Sequence, residues 1–299
     1  MNRIILTLVF SMALWGQQWS AERTIVLFDG RSAANWTGLN KSGFPEEYWK
    51  VEDGWLKSVP GFGHQDLISS TTAPDFELSW EWKASPGGNA GVKYLVREGR
   101  MDPYLSDLRN IAMAVGWLCL AAMAVLAVLP RKSRMRPPKL LLSALAITGL
   151  SAIGLSLYYK DLSLLRAVGL EYQMTDDGQN SDAQRGDLYR SGALYGLVEA
   201  KGGRSLEAGL INRSKIVVQG GQVEHYLNGQ LTASYKLGSA PLLERIKESK
   251  FKNFPGFGDR GTGRIALQHH GDEMWFRDIQ LVRLRRGAAP SYPAPARRR

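Results

Sequence analysis

The sequence predicts a β-sandwich or β-barrel domain that is interrupted by a pair of membrane-spanning helices. Short runs of alternating apolar and polar residues recur towards both ends of the chain, and turn pairs such as Asp29-Gly30, Asp53-Gly54 and Asn228-Gly229 separate them. The middle of the chain holds two long uncharged apolar runs, at residues 111–129 and 140–159. We therefore expect an all-β domain that is split by a two-helix transmembrane hairpin.

The two apolar runs have the length and the flanking charges of membrane spans. At about 1.5 Å of rise per residue, each run can cross a hydrocarbon core of roughly 30 Å as a helix. The intervening segment, 130–139, is basic and contains no acidic residue, which predicts a cytoplasmic loop. The flanking parts of the β domain, 22–100 and 166–286, would then lie on the periplasmic or extracellular side. Buried core helices are the alternative, but soluble helices of this length usually carry a polar stripe.

Both ends of the chain are predicted to lie outside the β domain. Arg3 precedes an apolar stretch at residues 4–15, so residues 1–21 resemble a secretory signal peptide or an uncleaved signal anchor. The last residues, 287–299, are rich in Pro, Ala and Arg and are expected to be disordered.

Charge and cysteine content exclude several classes of function. The net charge is +10, but the excess lies in the inter-helix loop and the C-terminal tail, and the remainder of the chain is close to neutral. No basic face remains to follow a phosphate backbone, so we expect no nucleic-acid partner. The single cysteine, Cys119, lies inside the first apolar run. The β domain therefore has no disulfide, cysteine nucleophile or cysteine-based metal site.

The predicted strands are spread over both parts of the β domain. A hairpin is expected to turn at Asn228-Gly229, the strongest short hairpin signal in the chain. The membrane hairpin would replace a modest loop between two strands, and surface loops tolerate such insertions. Strands are predicted at residues 75–83, 91–97, 170–175, 215–218, 264–269 and 275–284, the β-hairpin at 222–235, and one soluble helix at 242–254.

A series of motifs resembles one known family. In chain order they read LFDG (27–30), WKVEDGWL (49–56), DFELSWEWK (75–83), NAGVKY (89–94), GLEYQMTDD (169–177), SGALY (191–195), VEHYLNG (223–229) and GRIALQHHGDEMWFRDIQLVRL (263–284). Together they resemble the 3-keto-disaccharide hydrolases, also described as 3-keto-glucoside 1,2-lyases and 3-keto-2-hydroxyglucal hydratases, over about residues 25–98 and 167–285. The resemblance implies a concanavalin A-like jelly-roll sandwich and a carbohydrate substrate.

The implied chemistry requires three kinds of group. A ketone at C3 of the sugar acidifies the C2 proton, so a general base can remove it and the C1 substituent departs by β-elimination. Water then adds to the resulting 2-hydroxyglucal. The site needs a base, a stabiliser of the enolate oxygen, and an acid for the leaving group.

His270 is the first candidate for the base, or alternatively for a metal ligand. It shares a strand face with Gln268, opposite Ile265 and Leu267, so it should point out of the core, and it falls in the Gln-x-His-Gly segment of the family. A hydrogen-bonded loop histidine is the competing interpretation. His269 stands where relatives usually carry Asp, which leaves any role of that side chain open.

Glu171 and His225 are the other catalytic candidates. Glu171 lies on the polar face of its predicted strand and is expected to act as an acid or base, unless that face is merely solvated. His225 alternates with Val223 and Leu227, so a hydrogen-bonded core histidine is the stronger interpretation of that residue.

The remaining candidates would bind substrate or metal. Lys93 is expected to polarise the keto oxygen, and the aromatic rings of Tyr195 and Trp275 to stack on sugar. Sugar hydroxyls would be bound by Glu81, Gln173 and Gln268. No cofactor is required by these motifs. A divalent metal such as calcium could be held by oxygens of Asp176, Asp177 and Asn180, for which an ordinary Asx turn is the favoured alternative.

Two other function classes fit the same fold. A non-catalytic, membrane-tethered lectin would have no use for His270 converging with a carboxylate. A retaining glucanase needs two carboxylates about 5 Å apart, and the Glu-x-Asp-x-x-Glu spacing usual for such a pair is absent. We therefore expect a 3-keto-glycoside-cleaving enzyme, with a lectin as the alternative.

Overall fold

The computed structural model describes residues 19–39, 41–61, 65–97, 103–127, 139–164, 167–252 and 254–286. The helices in these ranges are α1 (Pro103–Ala127), α2 (Lys139–Leu164) and α3 (Ala240–Lys247). The strands are β1 (Trp19–Phe28), β2 (Trp36–Gly38), β3 (Trp49–Glu52), β4 (Trp55–Ser58), β5 (Leu67–Ala73), β6 (Phe76–Ala84), β7 (Asn89–Arg97), β8 (Val168–Thr175), β9 (Asn212–Gln219), β10 (Gln222–Leu227), β11 (Gln230–Lys236), β12 (Gly263–Leu267) and β13 (Met274–Arg286).

The strands form two antiparallel sheets. The large sheet has the order β11-β10-β9-β6-β13-β4-β3, with β1 paired to β13, and the small sheet has the order β2-β5-β12-β7-β8. Apolar side chains from both sheets meet between them; for example, the rings of Trp80 and Tyr172 lie 5.0 Å apart. The predicted β-sandwich is therefore confirmed at the level of two packed sheets.

Alternation along β7 and β8 decides which residues can form a site on the small sheet. Val92 and Tyr94 of β7 are buried in the core between the sheets. Lys93 points to the other face, as do Glu171 and Gln173 of β8, because successive side chains in a strand alternate between faces. The outer face of the small sheet therefore carries a concentration of polar groups.

The helical hairpin is inserted between strands that are direct neighbours. β7 and β8 pair antiparallel, and α1 and α2 lie between them in the chain. The two helices approach closely at Gly116 and Gly149, because a Cβ atom on Gly116 would lie only 3.2 Å from the Gly149 carbonyl oxygen. Trp117 leaves 62% of its surface exposed. Both helices are long and apolar enough to cross a membrane, and the crossing itself remains a prediction.

Several local predictions match the structure and others do not. The Asn228-Gly229 turn joins β10 and β11, with φ of 49° and 84°. The soluble helix is shorter than expected, because α3 ends at Lys247. Beyond this point the Ser249 hydroxyl donates to the Ile246 carbonyl and accepts from the Phe251 amide, and these bonds replace those of a further helical turn. Strands β1–β5 were not among the predicted strands.

Some predictions fall on parts of the chain that the structure does not describe. Most of the signal segment 1–21 and the basic loop 130–139, and the whole tail 287–299, lie outside the described residues. Residues 19–21 belong to β1, and Lys139 begins α2.

Candidate active site

Two of the candidates, Lys93 and Glu171, meet on the outer face of the small sheet. Lys93 of β7 lies directly across from Glu171 of β8, and Gly91 lies across from Gln173. A Cβ atom at position 91 would lie 2.7 Å from Cγ of Glu171. The Glu171 side chain therefore lies across Gly91, and the absence of a side chain there makes room for it.

Glu171 has the electrostatic surroundings of a proton-transfer group. Burial raises the pKa of its carboxyl group, and the nearby charge of Asp66 acts in the same direction. The positive charges of Lys93, Lys250 and His270 oppose the rise. A carboxyl group whose protonated form is favoured by burial, among several cations, is suited to holding and releasing a proton.

Asp66 connects the two elements that carry the other candidates. Its Oδ2 lies 2.7 Å from Nζ of Lys93, and both side chains are buried. Its Oδ1 accepts a hydrogen bond from the backbone amide of His269 at 3.0 Å. One buried carboxylate thus holds the Lys93 ammonium group and the start of the segment that carries His270.

The two adjacent histidines have different surroundings. The His269 ring is buried, and its Nε2 donates to the Val59 carbonyl at 2.9 Å while its Nδ1 accepts from the Gly271 amide at 3.2 Å. These bonds define a neutral tautomer and hold the segment in place. His270 is exposed, but it lies in the loop after β12, which ends at Leu267, and not on the strand face that the alternation predicted. A positive charge on its ring acts on the carboxyl groups of both Glu171 and Asp182, so the ring lies in the neighbourhood of both.

Two buried amide oxygens in this region have no hydrogen-bond partner among the residues that the structure describes. Gln173 is 0% exposed; its Nε2 donates to Oδ1 of Asn89 at 3.2 Å, while its Oε1 has no hydrogen-bond partner in the described part of the chain. Oε1 of Gln268 is likewise buried and unpaired there, and its Nε2 approaches Oε2 of Glu171 at 3.5 Å. Buried polar atoms are rarely left unpaired. Two such acceptors beside Glu171 indicate a site for a ligand that donates hydrogen bonds, such as a sugar.

Tyr195 connects Glu171 to Asp182. Its backbone amide donates to the Glu171 carbonyl at 3.0 Å, and its hydroxyl donates to Oδ2 of Asp182 at 3.1 Å. Burial and the Asp182 charge raise the pKa of Tyr195 to about 12. Burial alone would raise the pKa of Asp182, but the hydrogen bonds from Arg185 and Tyr195 outweigh it and lower that pKa.

The structure corrects the assignment of His225 as a catalytic candidate. It is 0% exposed and lies in the core between the sheets. Its Nδ1 donates to the Gly192 carbonyl at 3.1 Å, and its Nε2 accepts from the Tyr94 hydroxyl at 2.8 Å. Burial lowers the pKa of His225 to about 4, so the ring is neutral at ordinary pH. The alternation with Val223 and Leu227 indicated this core position.

The structure also separates Glu81 and Trp275 from the other candidates. Both lie on the outer face of the large sheet, on the far side of the sandwich. Glu81 accepts from Arg277 at 2.6 Å and from Arg213 at 2.8 Å. The Trp275 ring lies under Nζ of Lys83, at 4.7 Å. Alternation showed that these side chains point outward, but it could not show from which sheet.

The oxygens that were considered for calcium are used by the backbone. Asp176 accepts from the Gly87 amide, Asp177 from the Ser191 amide and Asn180 from the Asp182 amide, each at 2.9 Å. Across the described ranges, no group of three or more His, Cys, Asp or Glu side chains is arranged to hold a metal ion. The geometry is that of turn-stabilising side chains.

Sequence reasoning missed four residues of this site: Asp66, Asn89, Asp182 and Lys250. Asp66 immediately precedes a strand and Asp182 lies in a loop, where polar residues are ordinary. Lys250 fell inside a predicted helix. No local pattern marks them, because their roles depend on contacts with residues far away in the chain.

Comparison with known proteins agrees with the motifs. The family model of the 3-keto-alpha-glucoside-1,2-lyase-like domain matches residues 23–111 and 152–282. The segment between these two ranges, 112–151, lies within the helical hairpin. A 3-keto-disaccharide hydrolase of Bacteroides thetaiotaomicron is 26% identical over 281 residues, which cover 87% of this chain and 78% of that protein.

A solved structure shows the same fold. A candidate glycosyl hydrolase from Parabacteroides distasonis superimposes with a TM-score of 0.58 at 22% identity, covering 87% of this chain and 93% of that one. A second structure from that species gives a TM-score of 0.49 at 18% identity, over 87% and 98% of the two chains. With the family model matched on both sides of the hairpin, this chain belongs to the 3-keto-alpha-glucoside-1,2-lyase-like domain family.

Proposed function

We propose that this protein cleaves 3-keto-glucosides by elimination followed by hydration. The observation that carries the proposal is the position of Lys93 directly across from Glu171 on one face, beside two amide oxygens that are unpaired among the described residues, with His270 near enough for its charge to act on Glu171. Membership of the family and the similarity to a 3-keto-disaccharide hydrolase point to the same substrate class. Two proton-transfer groups and a buried cation are the parts that this reaction requires.

Each group takes one role in the proposed reaction. His270 removes the C2 proton, and the Lys93 ammonium group stabilises the negative charge that develops on the C3 oxygen. The C1–O bond breaks as the C1–C2 double bond forms, and Glu171, whose protonated form burial favours, supplies the proton to the departing oxygen. Water then adds its hydroxyl group to C1 and a proton to C2. Oε1 of Gln173 and Oε1 of Gln268 accept hydrogen bonds from sugar hydroxyls.

The alternative is a carbohydrate-binding module without catalysis. The unpaired amide oxygens of Gln173 and Gln268 fit a lectin as well as an enzyme. The presence of two proton-transfer groups, Glu171 and His270, favours the enzyme. The test is incubation of the purified protein with a 3-keto-glucoside and, separately, with the unoxidised glycoside. We expect turnover of the first only, and in deuterated water we expect deuterium at C2 of the released sugar. Binding without turnover would identify a lectin, and turnover without deuterium at C2 would indicate direct hydrolysis at C1.

We also propose that α1 and α2 anchor the β domain to a membrane, with the basic loop in the cytoplasm. Exposed apolar side chains on both helices and the basic residues between them support this arrangement. A reporter that is active only outside the cytoplasm should be silent when inserted at Ser133 and active when fused after the C-terminal residue. Activity at Ser133 would contradict the proposed topology.

A further inference from the structure

One end of the sandwich lies where the helical hairpin leaves the β domain. β7 ends there at Arg97, and α1 and α2 separate it from the start of β8. The start of β1 pairs with the end of β13, and Arg283 of β13 donates to the Thr72 carbonyl of β5 at 3.1 Å. Because β12 joins β5 to β7, all these strand ends lie together. We call this region the hairpin end; it comprises residues 19–22, 72–76, 95–97, 168–169, 219–222, 258–264 and 283–286.

Arginine side chains gather on the hairpin end. Arg97 donates to the Arg260 carbonyl at 3.5 Å, and a Cβ atom on Gly221 would lie 2.6 Å from Nε of Arg260. Arg260 therefore lies against the β9–β10 turn. Both Arg260 and Arg283 are exposed. The arginines of the hairpin end are Arg97, Arg260, Arg264, Arg283, Arg285 and Arg286.

The acidic residues of the hairpin end are fewer than its arginines. Oδ1 of Asp75 accepts from the Gly220 amide at 2.6 Å and stabilises the β9–β10 turn. Glu22 lies 3.5 Å from Arg285, and Asp259 is the other acidic residue in these ranges. The hairpin end therefore carries an excess of positive charge.

The opposite end of the sandwich, around the β6–β7 turn, has a different charge pattern. Asp176 and Asp272 accept hydrogen bonds from backbone amides of this turn region, at 2.9 and 3.0 Å. The loop 199–211 lies beside it, because the Gly209 amide donates to the Ala84 carbonyl at 2.9 Å. This loop contains charges of both signs, at Glu199, Lys201, Arg204 and Glu207. The positive excess thus distinguishes the end from which the helices leave.

We infer that the hairpin end binds the headgroups of anionic phospholipids through Arg97, Arg260 and Arg283. The inference rests on the proposed membrane anchor, to which it adds a lipid preference and a fixed orientation of the β domain. The connection between α2 and β8, residues 165–167, spans at most about 15 Å, so an inserted hairpin holds this end near the headgroup layer. Guanidinium groups bind phosphate through paired hydrogen bonds, and clustered basic residues are attracted to anionic lipid surfaces.

The test measures hydrogen exchange of the backbone amides in residues 256–264. The full-length protein is placed in nanodiscs of phosphatidylcholine, with or without phosphatidylglycerol. We expect exchange to be at least about threefold slower in the anionic nanodiscs, because contact with headgroups suppresses local opening of this segment. Residues 199–211, at the opposite end, should exchange at the same rate in both. High salt should remove the difference at 256–264, because it screens the attraction.

Two matched double variants identify the groups responsible. Arg260→Gln combined with Arg283→Gln removes charge from the hairpin end and should abolish the difference between the two kinds of nanodisc. Lys201→Gln combined with Arg204→Gln removes the same charge from the opposite end and should preserve it. All four side chains are exposed, so neither double variant opens a cavity in the core.

The outcomes separate this inference from the proposed anchor. Equal exchange of the unmodified protein in both kinds of nanodisc would overturn the inference and leave the anchor standing. A difference that persists at high salt, or that disappears in both double variants, would also overturn it. The salt comparison uses the unmodified protein, so it decides the matter even if a variant fails to fold. If the protein does not enter nanodiscs at all, the proposed anchor fails, and the inference fails with it.

Discussion

The outer faces of the two sheets are both polar, but they differ in how their polar groups are used. On the large sheet, Glu81 is paired with Arg277 and Arg213. On the small sheet, Lys93, Asp66 and Gln173 are buried, and Oε1 of Gln173 has no partner in the described ranges. A polar strand face becomes a candidate site where neighbouring segments cover it and leave hydrogen-bonding capacity unused. Where no hydrogen-bonding capacity is left over, as at Glu81 with its two arginine partners, the same kinds of residue form an ordinary surface.

The largest expected effect tests the difference in burial. Asp66→Ala leaves the buried Lys93 ammonium without its 2.7 Å partner and should lower the free energy of unfolding by about 3–5 kcal/mol. Glu52→Ala removes an exposed carboxylate that lies 2.6 Å from Lys57 on the large sheet, and should lower the free energy of unfolding far less. Denaturant titration of both variants measures the difference. Similar losses would contradict the view that the small-sheet face is the covered one.

The next effect concerns catalysis at the small sheet. His270→Ala should lower kcat on a 3-keto-glucoside by at least about a hundredfold, the usual scale for loss of a general base. KM should change far less, because hydroxyl contacts come from other residues. Steady-state kinetics with a folded variant provides the measurement. Turnover at the wild-type rate would remove His270 from the mechanism and leave Glu171 as the remaining candidate for the base.

The third prediction concerns the effect of pH on stability. The folded-state pKa of Glu171 is raised by burial, so its contribution to stability is fully present below the unfolded pKa of about 4.3 and is lost as pH rises through the folded value. Glu171→Gln removes the ionisable group, so the variant does not lose this stability as pH rises. Its Tm should therefore exceed that of the wild type increasingly as pH rises above about 4.3, until the gap levels off above the folded pKa. A gap that does not change with pH would contradict a raised pKa.

The smallest effect is expected on the large sheet. Glu81→Gln and Trp275→Phe should each change kcat/KM by less than about twofold, because both residues lie on the opposite face of the sandwich from Glu171. The assay is the same as for the His270 variant, with activities corrected for the folded fraction. A tenfold loss of kcat/KM in either folded variant would indicate that the outer face of the large sheet binds substrate.

The sequence predicted the fold well where the relevant pattern is local. Alternation identified strands at β6, β8 and β13, and Asn228-Gly229 identified the β10–β11 turn. The same periodicity placed Glu171 on an outward-facing position of β8, whereas His270, predicted on a strand face, lies in the loop after β12. The family resemblance is confirmed by the match to residues 23–111 and 152–282. The membrane topology and the roles of the site residues remain predictions, since no contact within the chain tests them.

The sequence by itself determined which residues share a strand face, where one hairpin turns and that two long uncharged apolar runs interrupt the domain. Each of these follows from neighbours along the chain. Only the tertiary structure decided that Asp66 pairs with Lys93, that His225 is sealed in the core and that Glu81 lies far from Glu171. The physical reason is that the small sheet brings β5, β12, β7 and β8 side by side although they are widely separated in sequence. Strand order and the segments that cover a face are set by packing of the whole domain, and alternation cannot reveal them.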